Sequence, residues 1–251
     1  MEKDLVIGLG EIGLPIFKLL SRKIPTEGFD KNPELNIQKP STKNYKICFI
    51  HICIPFNKSF INEVLKLEKK FKPRGIVIHS TISPHTTEKL QKKLDVPVIY
   101  SATRGIHKRM LDDLKRYVKF YSVYEYAPNS KDLTKKFETR LKKCNIKFQK
   151  MSDPLTLELA KIICDTSYYG WLINYAQISK IITEKENVDY DEMWTFSDEI
   201  HKFLGNRPKL FPGFIGGHCV IPNLDLINEK TLDQIKIINN IFKKFSEKKA
   251  L

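Results

Sequence analysis

The sequence predicts a doubly wound α/β domain over residues 1–150, followed by a mostly helical domain over 151–251 built on one long helix. Three observations carry this. Strand-like and helix-like runs alternate through the first part of the chain, as in a parallel sheet covered on both faces. A glycine-rich turn joins the first strand pattern to the first helix pattern. From Met151 onward the texture changes: after Ser152-Asp153-Pro154 some thirty residues pass without a proline, and apolar residues recur at helical spacing.

The strand patterns are Leu5 to Ile7, Thr26 to Phe29, Ile47 to Ile54, Gly75 to His79, Val98 to Tyr100 and Lys119 to Tyr124, with Lys147-Phe148 as an extension of the sheet. Helix patterns lie between them, around Leu14 to Ser21, Phe60 to Phe71, Thr86 to Leu94 and Asp132 to Cys144. In the second part, Asp153 can cap the free N–H groups of a helix whose first turn takes Pro154. Leu155, Leu159, Ile162, Ile163, Tyr169, Leu172, Ile173, Ala176 and Ile181 then predict one long, mostly buried helix to about Glu186. Gly170 interrupts it at about 1 kcal/mol relative to alanine, unless close packing requires the space. Shorter helices are expected near Asp191 to Leu204 and Leu232 to Lys248, around a loop from Arg207 to Asn223 rich in glycine and proline.

Leu5-Val6-Ile7 runs directly into Gly8-Leu9-Gly10-Glu11-Ile12-Gly13, and Leu14 to Leu20 follows as a helix. Gly8 permits the tight turn, Gly10 lets the backbone approach a pyrophosphate, and Gly13 lets helix and strand pack closely. The helix N-terminus adds N–H groups and the positive end of its dipole, so Glu11 and Ile12 join the phosphate-binding turn. Asp30 follows Gly28-Phe29, where an acidic group takes the ribose hydroxyls of NAD and repels the 2′-phosphate of NADP. The first domain is therefore expected to be of the Rossmann type, with NAD as cofactor.

No apolar run approaches the ~18 residues of a membrane span, and the charged start Met1-Glu2-Lys3-Asp4 leads into a strand, so a cytoplasmic protein is expected. The five cysteines are scattered without CxxC pairing, which argues against both a disulfide framework and a zinc site. The net charge of +14 raises the question of nucleic acid. Its lysines are spread in groups such as Lys69-Lys70, Lys92-Lys93 and Lys142-Lys143 on polar helix faces, which reads as a solvated surface whose field also attracts phosphorylated substrates.

The segment Phe211-Pro212-Gly213-Phe214-Ile215-Gly216-Gly217-His218-Cys219-Val220-Ile221-Pro222 makes a poor core. Its glycines and prolines suit a loop that brings backbone amides and one thiol to a ligand.

With this loop the chain resembles the UDP-glucose/GDP-mannose dehydrogenase family, enzymes that oxidise nucleotide-sugar alcohols to acids with two NAD. Gly216-Gly217-His218-Cys219 matches the end of the family's cysteine loop, Ser80-Thr81 its Ser-Thr after the fourth main strand, and Glu158-Leu159-Ala160-Lys161 its E-x-x-K helix. Ile54-Pro55-Phe56 looks like its Val-Pro-Thr-Pro strand end, and Arg207 like the arginine upstream of the cysteine. The resemblance implies that Ile54, Pro55, Ser80 and Thr81 lie along NAD, and that Thr103, Arg104, Arg207, Gly216, Gly217 and His218 contact a nucleotide sugar or other phosphorylated sugar. It implies Cys219 as nucleophile, Lys161 as oxyanion stabiliser and Thr81 as a water-holding group, with thiolate addition to the aldehyde and hydrolysis of the thioester.

Three features depart from the family. Its hydrolytic glutamate is Thr103, which cannot serve as a general base near pH 7, and His107, four residues on, is the candidate replacement. The family's asparagine one turn after the lysine is Asp165, and its aspartate after the cysteine is Asn223, as though exchanged. The family's C-terminal nucleotide-sugar-binding domain is absent, so a shortened form is expected. Two alternatives stand beside it: a two-electron β-hydroxyacid-type dehydrogenase using Lys161, and a catalytically reduced NAD-binding protein. The long helix 153–186 is expected to pair two copies into a homodimer.

Overall fold

A computed structural model describes residues 2–35, 37, 46–205, 210–217, 219–227 and 230–249. It contains two compact units, Met1–Lys161 and Ile162–Leu251.

The first unit is a seven-stranded sheet made of β1 (Glu2–Ile7), β2 (Thr26–Phe29), β3 (Lys46–Ile52), β4 (Gly75–Ile78), β5 (Val98–Tyr100), β6 (Lys119–Val123) and β7 (Phe148–Lys150), in the order β2-β1-β3-β4-β5-β6-β7. Neighbours are parallel except β5 and β6. The predicted doubly wound α/β class is the observed one. The central strands are buried on both faces, as parallel sheets require, so Ile50, Ile52, Ile76, Val77 and Ile78 are completely inaccessible.

The period of two along each strand sends alternate residues to opposite layers. Leu5, Ile7, Ile50, Ile52, Ile76, Ile78 and Tyr100 form one core. It lies beside α2 (Phe60–Phe71) and α3 (Thr86–Gln91), which supply Phe60, Val64 and Leu90, and α6 (Pro154–Ala160), which supplies Leu157. Val6, Phe49, Val77, Ile99, Tyr121 and Val123 form the other core, with α1 (Gly13–Leu20), α4 (Met110–Arg116) and α5 (Ser130–Lys143). The sequence pattern had not indicated α4.

The first unit runs past the boundary expected after residue 150, because α6 packs on β5, β6 and α3. Its Asp153 caps the helix, accepting from the Thr156 N–H at 3.1 Å, as the sequence predicts. Glu158, fully buried, caps another helix. It accepts the His85 N–H at 2.6 Å, the Thr87 N–H at 2.8 Å and the Thr87 hydroxyl at 2.6 Å, which holds the start of α3 to α6.

The expected single long helix is three segments: α6, a π-helical run Lys161–Ser167, and α7 (Tyr168–Lys185). The second unit packs α7 against α8 (Tyr190–Leu204), α9 (Val220–Leu224) and α10 (Asp233–Lys249). Gly170 is explained by close packing, since a Cβ there would lie 3.2 Å from side-chain carbons of both Val220 and Ile235. The expectation of a mostly buried apolar helix is corrected. α7 turns Asn174, Gln177, Ser179 and Thr183 inward, and leaves Tyr168, Tyr169, Tyr175 and Ile182 more than half exposed. Their partners lie inside: Gln177 donates to the Gly213 carbonyl of a loop, Asn174 to Gln177 and to the Ile235 carbonyl of α10, and the Ser179 and Thr183 hydroxyls to the Tyr175 and Lys180 carbonyls of α7 itself.

Candidate functional site

The order in which the chain adds strands reverses at β1, which has β2 on one side and β3 on the other, both parallel to it. In doubly wound sheets ligands bind outside the carboxyl ends of the strands at this switch point. Here the carboxyl end of β1, Ile7, leads directly into Gly8, at φ +87°, a conformation that suits glycine. A Cβ on Gly8 would meet the Cys53 carbonyl oxygen at 2.8 Å, and one on Gly13 would meet the Gly8 oxygen at 1.7 Å. Both glycines are demanded by protein packing. Gly10 differs, because a Cβ there would have no protein atom within 4 Å. Gly10 is exposed and its Cα faces open space.

Other contacts shape the crevice. Asp30 accepts the Leu9 N–H at 2.6 Å and the Asn32 N–H at 2.8 Å, tying the glycine turn to the end of β2. No side chain caps α1, and its first turn carries no acidic residue. Across the switch point, the Cys53 N–H donates to the Ile7 carbonyl at 2.8 Å, and the Ser80 hydroxyl donates to the Ile54 carbonyl at 2.5 Å. Pro55 is exposed beside half-buried Ile54, and Thr81 is half-buried after Ser80. Glu11 pairs with His107 at 2.8 Å, which joins the glycine turn to the segment after β5.

Thr103 is buried and donates its N–H to the His79 carbonyl at 3.2 Å. Arg104 is engaged within the domain, donating to the Val118 carbonyl at 2.7 Å with its guanidinium 5.0 Å from the Phe120 ring centre. Lys161 begins the π-helical run, half-buried.

Sequence reasoning missed a chain of buried ionisable groups on the side of the sheet that carries α1, α4 and α5. Register explains it: Val6 pairs with His51, His51 with Val77, Val77 with Ile99 and Ile99 with Val123, so these positions share one face. Two-residue steps add Asp4, His79, Ser101 and Lys119 to that face. Asp4 is paired with Arg140 and stands 3.6 Å from His51 Nε2. His51 Nδ1 lies 3.0 Å from His79 Nε2, and His79 Nδ1 lies 3.2 Å from the Ser101 carbonyl oxygen. A carbonyl only accepts, so His79 donates through Nδ1; neutral His79 then accepts at Nε2 from His51 Nδ1–H. Burial holds the His79 imidazole well below its usual range, with Lys119 and His51 adding to the effect. The signal in the sequence was polar residues inside runs otherwise apolar.

In the second unit, the cysteine loop is held by amides. Gln177 Nε2 donates to the Gly213 carbonyl at 2.7 Å, the Ile215 N–H donates to Asn239 Oδ1 at 2.8 Å, and Asn239 Nδ2 returns a bond to the Ile215 carbonyl at 3.0 Å. Asn174 Nδ2 donates to Gln177 Oε1 at 2.8 Å, completing the network. Gly216 and Gly217 are exposed, Gly217 at φ +73°. Cys219 is exposed immediately before α9, Asn223 lies within α9, and Asp165 lies in the π-helical run. Arg207 and His218 lie outside the described residues. Among the described residues no group of His, Cys, Asp and Glu is arranged to hold a metal, and no helix is long and apolar enough to cross a membrane.

The chain is similar to a UDP-D-ManNAc dehydrogenase from Pyrococcus horikoshii, with TM-score 0.78 and 18% identity over 98% of this chain and 70% of that one. It is similar to the UDP-N-acetyl-mannosamine dehydrogenase of Staphylococcus aureus, with TM-score 0.71 and 18% identity over 97% of this chain and 69% of that one. A 3-hydroxyisobutyrate dehydrogenase of Mycobacterium tuberculosis aligns with TM-score 0.67 and 14% identity over 98% of this chain and 94% of that one. The likeness is one of fold. No protein-family profile and no curated protein matches the sequence.

Proposed function

We propose that this chain is an NAD-dependent oxidoreductase of the cytoplasm that oxidises a primary alcohol, with a nucleotide sugar or another phosphorylated sugar as substrate class. The glycine turn carries the reading. Gly8 and Gly13 satisfy the packing of the domain, and Gly10 leaves open space at the turn where a pyrophosphate would approach the backbone. The solved structures of like fold include dehydrogenases of UDP-sugars and of a hydroxyacid, which supports the same reading.

When bound, NAD supplies a hydride acceptor. Gly8, Gly10, Glu11, Ile12 and Gly13 would hold its pyrophosphate by backbone N–H groups, and Asp30 its adenosine ribose. Ile54, Pro55, Ser80 and Thr81, at the carboxyl ends of β3 and β4, would flank it. We assign Cys219 the nucleophile's role toward an aldehyde, Lys161 oxyanion stabilisation, Thr81 a water, and Asp165 and Asn223 the orientation of those groups. Thr103, Arg104, Arg207, Gly216, Gly217 and His218 would contact the sugar substrate. The exposed aromatic face of α7 would be covered by a second copy, giving a homodimer.

A second reading, a two-electron oxidation of a β-hydroxyacid through Lys161, is supported by the near full-length likeness to the hydroxyisobutyrate enzyme. NADH formation from UDP-N-acetylmannosamine, UDP-glucose and 3-hydroxyisobutyrate, with wild type and Cys219→Ser, tests both. Loss of turnover in Cys219→Ser with a nucleotide sugar supports the covalent route; undiminished turnover removes it. NAD binding without turnover of any of the three would leave a cofactor-holding protein.

A further inference from the structure

The middle of the glycine turn lies open: Gly10 and Glu11 are exposed and Ile12 is half-buried. On the β2 side the turn is held by Asp30, which accepts the Leu9 N–H at 2.6 Å. On the other side it is held through the Glu11 side chain, whose Oε2 lies 2.8 Å from His107 Nδ1. Two carboxylate contacts thus grip one short turn, at residues 9 and 11.

His107 belongs to a firmly seated segment. β4 and β3 stand between β5 and β1, so at about 4.8 Å per strand the chain from Ser101 to His107 covers about 14 Å along the carboxyl edge of the sheet. It is fastened along that course. Lys119 Nζ donates to the Ser101 carbonyl at 3.0 Å, and Arg104 donates to the Val118 carbonyl at 2.7 Å. The Ile106 N–H donates at 2.9 Å to Asp113 Oδ2, which also accepts from Arg109 Nε at 3.0 Å. Gly105, at φ +140°, lets the backbone come down on α4, since a Cβ there would lie 2.7 Å from Asp113 Cβ. The short helical turn His107–Arg109 leads into α4, and α4 packs on α1. That packing brings His107 to the start of α1 and so to Glu11.

We propose that segment 101–109 is a strap fastened to the glycine turn by the Glu11–His107 pair, and that this pair shapes the pyrophosphate site, with His107 a positioning residue acting through Glu11. The proposal rests on the NAD reading above. In that reading Glu11 offers its N–H to the pyrophosphate, so holding its side chain in one direction fixes the peptide that must point at the phosphate. The pair also decides where a carboxylate beside two phosphates goes. A loose carboxylate would swing toward the pyrophosphate and repel it; bound to His107, it is kept on the α4 side. Cofactor on the turn and order in the strap then stabilise each other.

The first test needs no ligand. Amide hydrogen exchange of the full chain should quicken over residues 9–13 and 105–109 in His107→Ala, while the midpoint of urea unfolding stays close to that of wild type. Unchanged exchange in both stretches would overturn the proposal. The second test is calorimetry with NAD. His107→Ala should bind about fivefold more weakly than wild type, the scale of one partly exposed ion pair, and adding Glu11→Ala to it should weaken binding no further. His107→Gln, which keeps a donor toward Glu11, should regain most of the affinity. Wild-type affinity in His107→Ala, or a further loss in the double variant, would overturn the strap and leave the cofactor reading standing. No NAD binding by wild type would overturn the cofactor reading and the pair's role toward a pyrophosphate with it.

Discussion

Replacing Lys119 by methionine should stabilise the protein at low pH and lose that advantage as pH rises. Methionine fills nearly the same space without a charge. The fall from the ordinary 10.5 to about 7 corresponds, at about 1.4 kcal/mol per pH unit, to about 5 kcal/mol against the buried ammonium. The unfolded chain protonates Lys119 below about 10.5 and the folded chain only below about 7, so between these values the unfolded state holds more protons. Wild-type stability therefore gains about 1.4 kcal/mol per pH unit from this group as pH rises through that window, and the full penalty is present below pH 7. The methionine variant lacks this dependence, but leaves the Ser101 and Ala102 carbonyls without the Nζ donor, at about 1–2 kcal/mol. Net, it should be about 3 kcal/mol more stable than wild type at pH 6, and the difference should shrink by about 3 kcal/mol between pH 7 and 9. Urea unfolding of both proteins at pH 6, 7.5 and 9 measures it. A difference that does not change with pH would refute the reasoning.

The glycines of the first turn should separate by role. Gly13→Ala forces a Cβ to 1.7 Å from the Gly8 oxygen and should prevent native folding, seen as a lost thermal transition by circular dichroism. Glu158→Gln weakens the bonds to His85 and Thr87 that start α3; about 2 kcal/mol of stability should be lost in urea. Asn239→Leu unfastens Ile215 and Gln177 together and should cost about 2–3 kcal/mol, with protease cleavage appearing first in the cysteine loop. Light scattering should give a dimer that Tyr175→Glu, on the exposed face of α7, converts to monomer; a monomeric wild type at all concentrations would remove the dimer proposal.

Much of the first unit was legible because its signals are local. The glycine turn, the apolar strands and the amphipathic Phe60–Phe71 helix each announce themselves within a dozen residues. The roles assigned to Gly8 and Gly13 in the turn and its packing agree with the contacts found. What could not be read depends on residues far apart in sequence. The pairing of His51 with His79 and of Lys119 with the segment after β5 follows from sheet register, and that of Arg140 with Asp4 from the packing of α5 on the sheet, neither of which a period-two pattern reveals. Helical periodicity misjudged the long helix for a related reason. It ranks aliphatic and aromatic residues as core, yet Asn174 and Gln177 go inward because the Ile235 carbonyl of α10, the Gly213 carbonyl of the loop and Asn239 await them there. Nor does periodicity distinguish an α-helix from the π-helical run at Lys161–Ser167.

The central claim is that the crevice at β1 and β3 takes NAD against Gly10, and isothermal titration calorimetry of the full chain tests it most directly. Saturable one-to-one binding of NAD, weaker binding of NADP, and at least a tenfold loss of affinity in a well-folded Gly10→Val variant are the predicted results. Absence of NAD binding, or equal affinity in wild type and Gly10→Val, would contradict the account.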